Sequence, residues 1–241
     1  RACPDHPEDG VATAPTPPKI LPKAKASNEL VVEVLVDKYR DHLPLYRQAA
    51  ALHWEVGLEL DQQTLCGWVM GAGELLRPLA AAMRADLIGG GYIQVDETPV
   101  PVHTPEGNRR AWLWEYSRPD GPVLFEFNPS RGRAGPAEWL KGYRGLLQHD
   151  DYAAYDGLGG DGVVHLNCVA HARRKFFEAH QLDKDNVELR GILETIGKLY
   201  EVEAGARKQK LGPDARAALR QERAVPILRG LKTEVIALRE L

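Results

Sequence analysis

Positive charge is not in excess in this chain: 31 Lys and Arg stand against 34 Asp and Glu, a formal net charge of −3. A surface that is basic all round, the simplest footprint of a nucleic-acid binder, is therefore excluded. Local basic sites are not, because acids gathered at one place lower the total without covering another face. Cysteine is scarce, and Cys3, Cys66 and Cys168 lie too far apart to suggest a disulfide framework. No apolar run approaches the roughly 18 residues that a membrane span needs, and no signal peptide is visible. These absences predict a soluble, cytoplasmic protein with no membrane partner. An initiator Met is also missing, and the opening Arg1-Ala2-Cys3-Pro4 reads like the middle of a reading frame, so a fragment is expected. With 241 residues and 44% hydrophobic content there is enough chain for one good core and smaller helical units.

Against this background two short strings stand out, because each puts acids at the end of an apolar, β-type run. The first is Tyr92-Ile93-Gln94-Val95-Asp96-Glu97-Thr98-Pro99 and the second Gly145-Leu146-Leu147-Gln148-His149-Asp150-Asp151-Tyr152. Either string alone also fits a turn or a helix cap. Together, with room between them for a hairpin and a helix, they suit two neighbouring strands. Carboxylates held side by side on a rigid sheet are what two-metal phosphoryl transfer requires, since they can hold two hard cations roughly 3.5–4 Å apart. The residues thus point to a polynucleotidyl transferase.

The elements around the two strings support that placement. Tyr92 to Glu97 suits a strand, Arg110 to Tyr116 alternates with aromatic residues, and Pro122 to Phe127 follows the Asp120-Gly121 turn, which together predict an antiparallel meander. Gly135 to Gly142 has Pro early and Gly at its end, the punctuation of a short helix. Leu146 to Asp150 and Val163 to Cys168 supply a fourth and a fifth strand, and a longer helix starts near Val169. This order predicts an α/β (α+β) ribonuclease-H-like domain on a mixed five-stranded sheet. Pro99 and Pro101 cannot donate to a ladder, so the first strand must end, bulge or run along an edge after Glu97.

The strings HLPLYRQ, QVDETPVPV, LQHDDYAAYDGL and CVAHARRKFF resemble those of the insertion sequence 66 family of bacterial transposases, in an order that covers the chain from about Ala2 to at least Ala179. The resemblance implies a ribonuclease-H-like fold with an Asp-Asp-Glu triad. It carries the first catalytic and metal-binding acid onto Asp96 and the second onto Asp150, with Glu97 and Asp151 as neighbours only. It further implies two Mg²⁺ (or Mn²⁺) ions, cleavage and transfer of DNA strands, transposon ends and target DNA as partners, and a homo-oligomer in the active complex. The sequence departs from the family at His149 and Asp151, where small residues are usual, and at Val169, where Trp is usual. The family's final Glu lies in an N-x-x-E-R context that these 241 residues do not contain. Glu188, Glu194, Glu201, Glu222 and Glu234 read instead as solvated helix faces. Cys3-Pro4-Asp5-His6 has the spacing of half a zinc site, and the family's Cys-rich module implies Zn²⁺ only in a segment upstream.

The remaining segments read as follows. Residues 1–26 combine that half-site with a Pro- and Ala-rich linker from residue 10 that carries Lys19, Lys23 and Lys25. Residues 27–90 are helical. Leu45 to Trp54, Gly57 and Asp61 to Met70 resemble a DNA-binding helix-turn-helix, and a plain helical hairpin fits equally well. Residues 91–178 form the expected catalytic core, and 179–241 a truncated helical insertion in which Leu189, Ile192, Leu193, Ile196 and Leu199 need a partner. Cys168 and His171 have a C-x-x-H spacing, but no second pair is near. They and Arg174 are expected to steady the acids or meet a phosphate, and Arg173 and Lys175 to contact DNA. A non-catalytic DNA-binding or assembly fragment, or a metal-dependent nuclease of the same fold, are the alternative functions.

Overall fold

A computed structural model of the chain describes residues 17–22 and 24–239. The Cys3-Pro4-Asp5-His6 string lies outside them. The chain divides into two compact units at Ala85/Asp86.

The first unit holds three helices, α1 (Asn28–Tyr39), α2 (Leu45–Val56) and α3 (Gln62–Gly89), the last continuing into the second unit. Ser27 caps α1 by accepting from the Leu30 N–H, and Asp61 caps α3 by accepting from the Thr64 N–H at 2.6 Å. Gly57 ends α2 in the left-handed conformation at φ 67°, which a side chain would disfavour. Val31, Val34, Leu45, Leu65, Trp68 and Val69 form the shared core. The second helix of the expected helix-turn-helix was drawn to Met70, but α3 runs on to Gly89. Leu, Arg, Ala and Met after residue 74 are strong helix formers, and Pro78 removes only one backbone donor.

The second unit is built on a mixed five-stranded sheet in the order β3-β2-β1-β4-β5 together with helices, an α+β arrangement. Strands β1 (Tyr92–Thr104), β2 (Gly107–Ser117) and β3 (Val123–Asn128) form the antiparallel meander, while β4 (Gly145–His149) and β5 (Val163–Asn167) run parallel to β1. Between β3 and β4 lies α4 (Ala134–Trp139), whose Trp139 stacks on Tyr116 at 3.6 Å and 2°. Ile93, Val95, Trp114, Tyr116, Leu147 and Tyr155 fill the core on one face of the sheet. Strand β1 does not stop at Glu97. It stays paired to β2 as far as Thr104, while its pairing with β4 covers only Tyr92 to Gln94. Beyond that point β1 is an edge, which is how Pro99 and Pro101 fit within a strand.

After β5 come α5 (Val169–Leu182), α6 (Val187–Lys208), α7 (Pro213–Leu219), a π-helical turn (Arg220–Ala224) and α8 (Val225–Arg239). Ile192, Ile196 and Ala206 of α6 are buried, whereas Leu189, Leu193 and Leu199 are half-buried. Glu188, Glu194, Glu201, Glu222 and Glu234 are all exposed. Among the described residues no helix is long and apolar enough to cross a membrane.

Candidate metal centre

The parallel register pairs Gln94 with Gln148, and two residues further along each strand come Asp96 and Asp150. Asp96 is still within β1, while Asp150 is the first residue after β4. Strand alternation turns Asp96 away from the face that carries Ile93 and Val95. A third group arrives from β5: Cys168 donates its N–H to the His149 carbonyl at 2.8 Å, starts α5, and so places His171 in the first helical turn. One ligand atom each from Asp96, Asp150 and His171 lie within 4.8 Å of one another. His171 Nε2 stands 3.8 Å from Asp96 Oδ2, and His171 Nδ1 is buried without a hydrogen-bond partner among the described residues. The concavity beside them is lined also by Gln94, Glu115, Ser117, Gln148, His149 and Cys168.

Both carboxylates are oriented by backbone. Asp96 Oδ1 accepts from the Glu97 N–H at 2.9 Å, and Asp150 Oδ1 accepts from the Tyr152 N–H at 3.0 Å. One oxygen of each is thereby engaged, which leaves a second for a cation. Two carboxylates and an imidazole form a mainly hard donor set, suited to Mg²⁺ and, because of the nitrogen, better to Mn²⁺.

Glu97 faces the other way. Its side chain is 1% exposed and accepts from Arg131 Nε at 2.8 Å and Nη2 at 2.6 Å, and from the Tyr155 hydroxyl at 2.5 Å. The guanidinium of Arg131 lies over the Tyr152 ring at 3.8 Å and 4.9 Å from that of Trp112. Burial works against the charge on Arg131, but the hydrogen bonds and charge of Glu97 outweigh it and hold the group above its usual range. Burial first, then the bond to Glu97, pushes the Tyr155 hydroxyl far up, so it stays a neutral donor.

His149, expected only as an unusual residue beside Asp150, is buried and stacks on Tyr155. The Asp151 N–H can only donate, so His149 Nδ1 accepts it at 3.1 Å. Its proton then sits on Nε2, which faces His165 Nδ1 at 2.9 Å, and His165 Nε2 in turn donates to the Leu158 carbonyl at 3.1 Å. Burial, with His165 second, holds the His149 pKa below its usual value against the pull of Asp151, Asp150 and Asp156. Asp151 itself adopts a left-handed φ of 71°, which Asp tolerates better than most residues.

The residues singled out in the sequence thus fall into two groups. Asp96, Cys168 and His171 line one concavity, and Asp150 offers a ligand atom within 4.8 Å of those of Asp96 and His171. Arg173, Arg174 and Lys175 are exposed on α5, with Arg173 6.0 Å from the Phe177 ring and Lys175 3.7 Å from Glu178. Glu97, Arg131, Tyr152 and Tyr155 were not singled out, although Ile93, Val95 and Glu97 share one strand face, and an acid at that third position needs a buried partner.

Residues 23–240, nearly the whole chain, match the Transposase IS66 family. The chain belongs to that family. Among its relatives, uncharacterized protein y4qI of Sinorhizobium fredii (strain NBRC 101917 / NGR234) is 32% identical, over 92% of this chain and 44% of the relative. Protein y4jD of the same strain, also uncharacterized, is 31% identical over 99% of this chain and 48% of the relative. The chain therefore spans about half the length of the curated relatives it matches. The resemblance noted in the four sequence strings is in this way extended into a membership that includes α6 to α8 of this IS66 transposase-family chain.

Proposed function

We propose that this chain supplies the two Asp of a metal-dependent DNA strand-cleavage and strand-transfer site, on a ribonuclease-H-like core spanning 91–178. The observation that carries this reading is the meeting of Asp96, Asp150 and His171 within 4.8 Å, just past the paired stretch of the parallel strands β1 and β4 and at the start of α5. Asp96 and Asp150 each keep one carboxylate oxygen turned by a backbone N–H, so the other can bind a cation without first paying the entropy of ordering the side chain. When bound, two Mg²⁺ or Mn²⁺ ions would activate a water or 3′-hydroxyl and neutralise charge on the leaving oxygen at a DNA phosphate. His171 Nε2 lies 3.8 Å from Asp96 Oδ2, close enough to steady it or to add a nitrogen ligand. Cys168 holds the start of its helix against β4.

The finer assignments belong to the same proposal. A final Glu in the family's N-x-x-E-R context would complete the triad. Such a string is absent from these 241 residues, so strand cleavage is expected of a protein that also has it. Transposon ends and target DNA are the proposed substrates, a homo-oligomer the active form, and the helices of 27–90 a DNA-binding region. On α5, exposed Arg173 and Lys175 would meet phosphates, with Arg174 nearer the acids. The test is calorimetric titration of the chain with Mn²⁺ and Mg²⁺. Binding that favours Mn²⁺ and disappears in Asp96→Asn and in Asp150→Asn is expected, and equal binding in those variants would refute the site.

A further inference from the structure

The ladder between β1 and β4 ends at Gln94 and Gln148, two residues short of Asp96 and Asp150. Backbone pairing of these strands therefore stops before it fixes the separation of the two acids. A side-chain bridge takes over at that point. Glu97, next to Asp96, is tied through its two oxygens to Arg131, from the loop after β3, and to Tyr155, five residues beyond Asp150. Arg131 in turn lies against Tyr152 and accepts through its carbonyl from the Tyr152 hydroxyl at 3.4 Å. The two backbone N–H groups that hold Asp96 and Asp150 are those of Glu97 and Tyr152, both members of this bridge.

We infer that Glu97, Arg131 and Tyr155 act as a latch that positions Asp96 and Asp150 for the cation. The inference rests on the metal reading proposed above and deepens it: the second acid of the Asp-Glu string serves the site through its own amide and through the segment it ties down, not as a ligand. The arrangement favours this role over ligation on three counts. The Glu97 side chain is 1% exposed, its oxygens already accept three hydrogen bonds, and it stands on the opposite strand face from Asp96. Contact with two aromatic rings and two hydrogen bonds to one Glu97 oxygen hold Arg131 as a planar fork, which a lysine cannot reproduce.

The test measures Mn²⁺ affinity by calorimetry and the electron paramagnetic resonance spectrum of the bound Mn²⁺, in wild type and in Glu97→Gln, Arg131→Ala, Arg131→Lys and Tyr155→Phe. Loss of the latch is expected to weaken Mn²⁺ roughly 10–100-fold, the range typical of groups that orient metal ligands, and to change the spectrum of the bound ion. Arg131→Lys, which keeps the charge beside Glu97, should recover part of what Arg131→Ala loses. Tyr155→Phe removes one hydroxyl and leaves the Glu97–Arg131 pair, so it reports even if Glu97→Gln folds poorly. Folded variants with wild-type Mn²⁺ affinity and spectrum, lowered only in melting temperature, would overturn the latch and leave the metal site standing. A wild-type chain that binds no Mn²⁺ would overturn both.

Discussion

Asp96 and Glu97 are neighbours in sequence with opposite surroundings. Asp96 stands at an open concavity, its second oxygen 3.8 Å from a histidine nitrogen. Glu97, one residue on and therefore on the other strand face, is enclosed and has a cation and a phenol as partners. An acid whose charge is already matched inside the protein has little to offer a metal. An acid held in place by one backbone N–H, with other acids close by, is destabilised by mutual repulsion until a cation arrives. On the reading proposed above, a metal-binding and a structural role fall to two adjacent carboxylates through the two-residue period of a strand.

The largest effects should come from the open side. Asp96→Asn and Asp150→Asn are expected to weaken Mn²⁺ binding by more than roughly 100-fold, beyond what orienting groups cause, with little change in unfolding by urea. A variant of either kind that binds Mn²⁺ normally would erase the contrast between the two acids. On the closed side a loss of stability should accompany the weaker Mn²⁺ binding, and it should be unequal. Arg131→Met leaves the Glu97 carboxylate buried and unpaired and should cost about 3 kcal/mol, whereas Glu97→Gln leaves a half-exposed guanidinium and should cost about 1–2 kcal/mol. Urea melts that ranked the two in reverse order would show that Glu97 is not the critical partner.

Smaller effects are expected away from both faces. Arg173→Ala should lower DNA affinity of the complete protein in a salt-dependent manner, reducing the slope of log affinity against log salt by about 1, while Mn²⁺ binding stays constant. Filter binding at several salt concentrations checks it, and an unchanged slope would remove Arg173 from the phosphate contacts. Glu203 offers an intermediate case. Its bond to Arg220 at 2.5 Å is first among the causes that hold its pKa below the ordinary value of 4.5. A carboxyl with a lowered folded pKa stabilises above the unfolded pKa and loses that contribution as pH falls through the folded one. Glu203→Gln should therefore cost about 0.5–1 kcal/mol near neutrality, given the exposure of Arg220, and the deficit should shrink as the pH drops below 4.5. A deficit that stayed constant into acid would mean that packing, not charge, is what the substitution disturbs.

Much of the sheet was legible, because its strands alternate cleanly and its turns carry Asp-Gly and Gly-Pro strings. The approach of Asp96 to Asp150 could be anticipated from two apolar runs that end in acids, and that of His171 from its place just after the fifth strand. The latch could not be anticipated, since its strongest pair joins residues 34 positions apart through a loop with no period of its own. Alternation places Glu97 on the face of Ile93 and Val95, a signal that was available in the sequence and would have marked it as buried, though not by what. In the first unit the length of α3 was missed for a different reason. Gly71, Gly73 and Pro78 are breakers taken singly, yet the formers around them outweigh the cost.

Pro99 and Pro101 have one more consequence. Past Gln94 the outer side of β1 has no strand beside it among the described residues, yet its pairing with β2 extends to Thr104. A proline has no N–H to give, so the two nitrogens fall harmlessly on that open side. A two-stranded ribbon with a bare margin would ordinarily invite another chain to add itself as a third strand. Here two successive donors along the margin, at positions 99 and 101, are missing, and a long arm can stand in water without becoming a template for stacking one copy on the next.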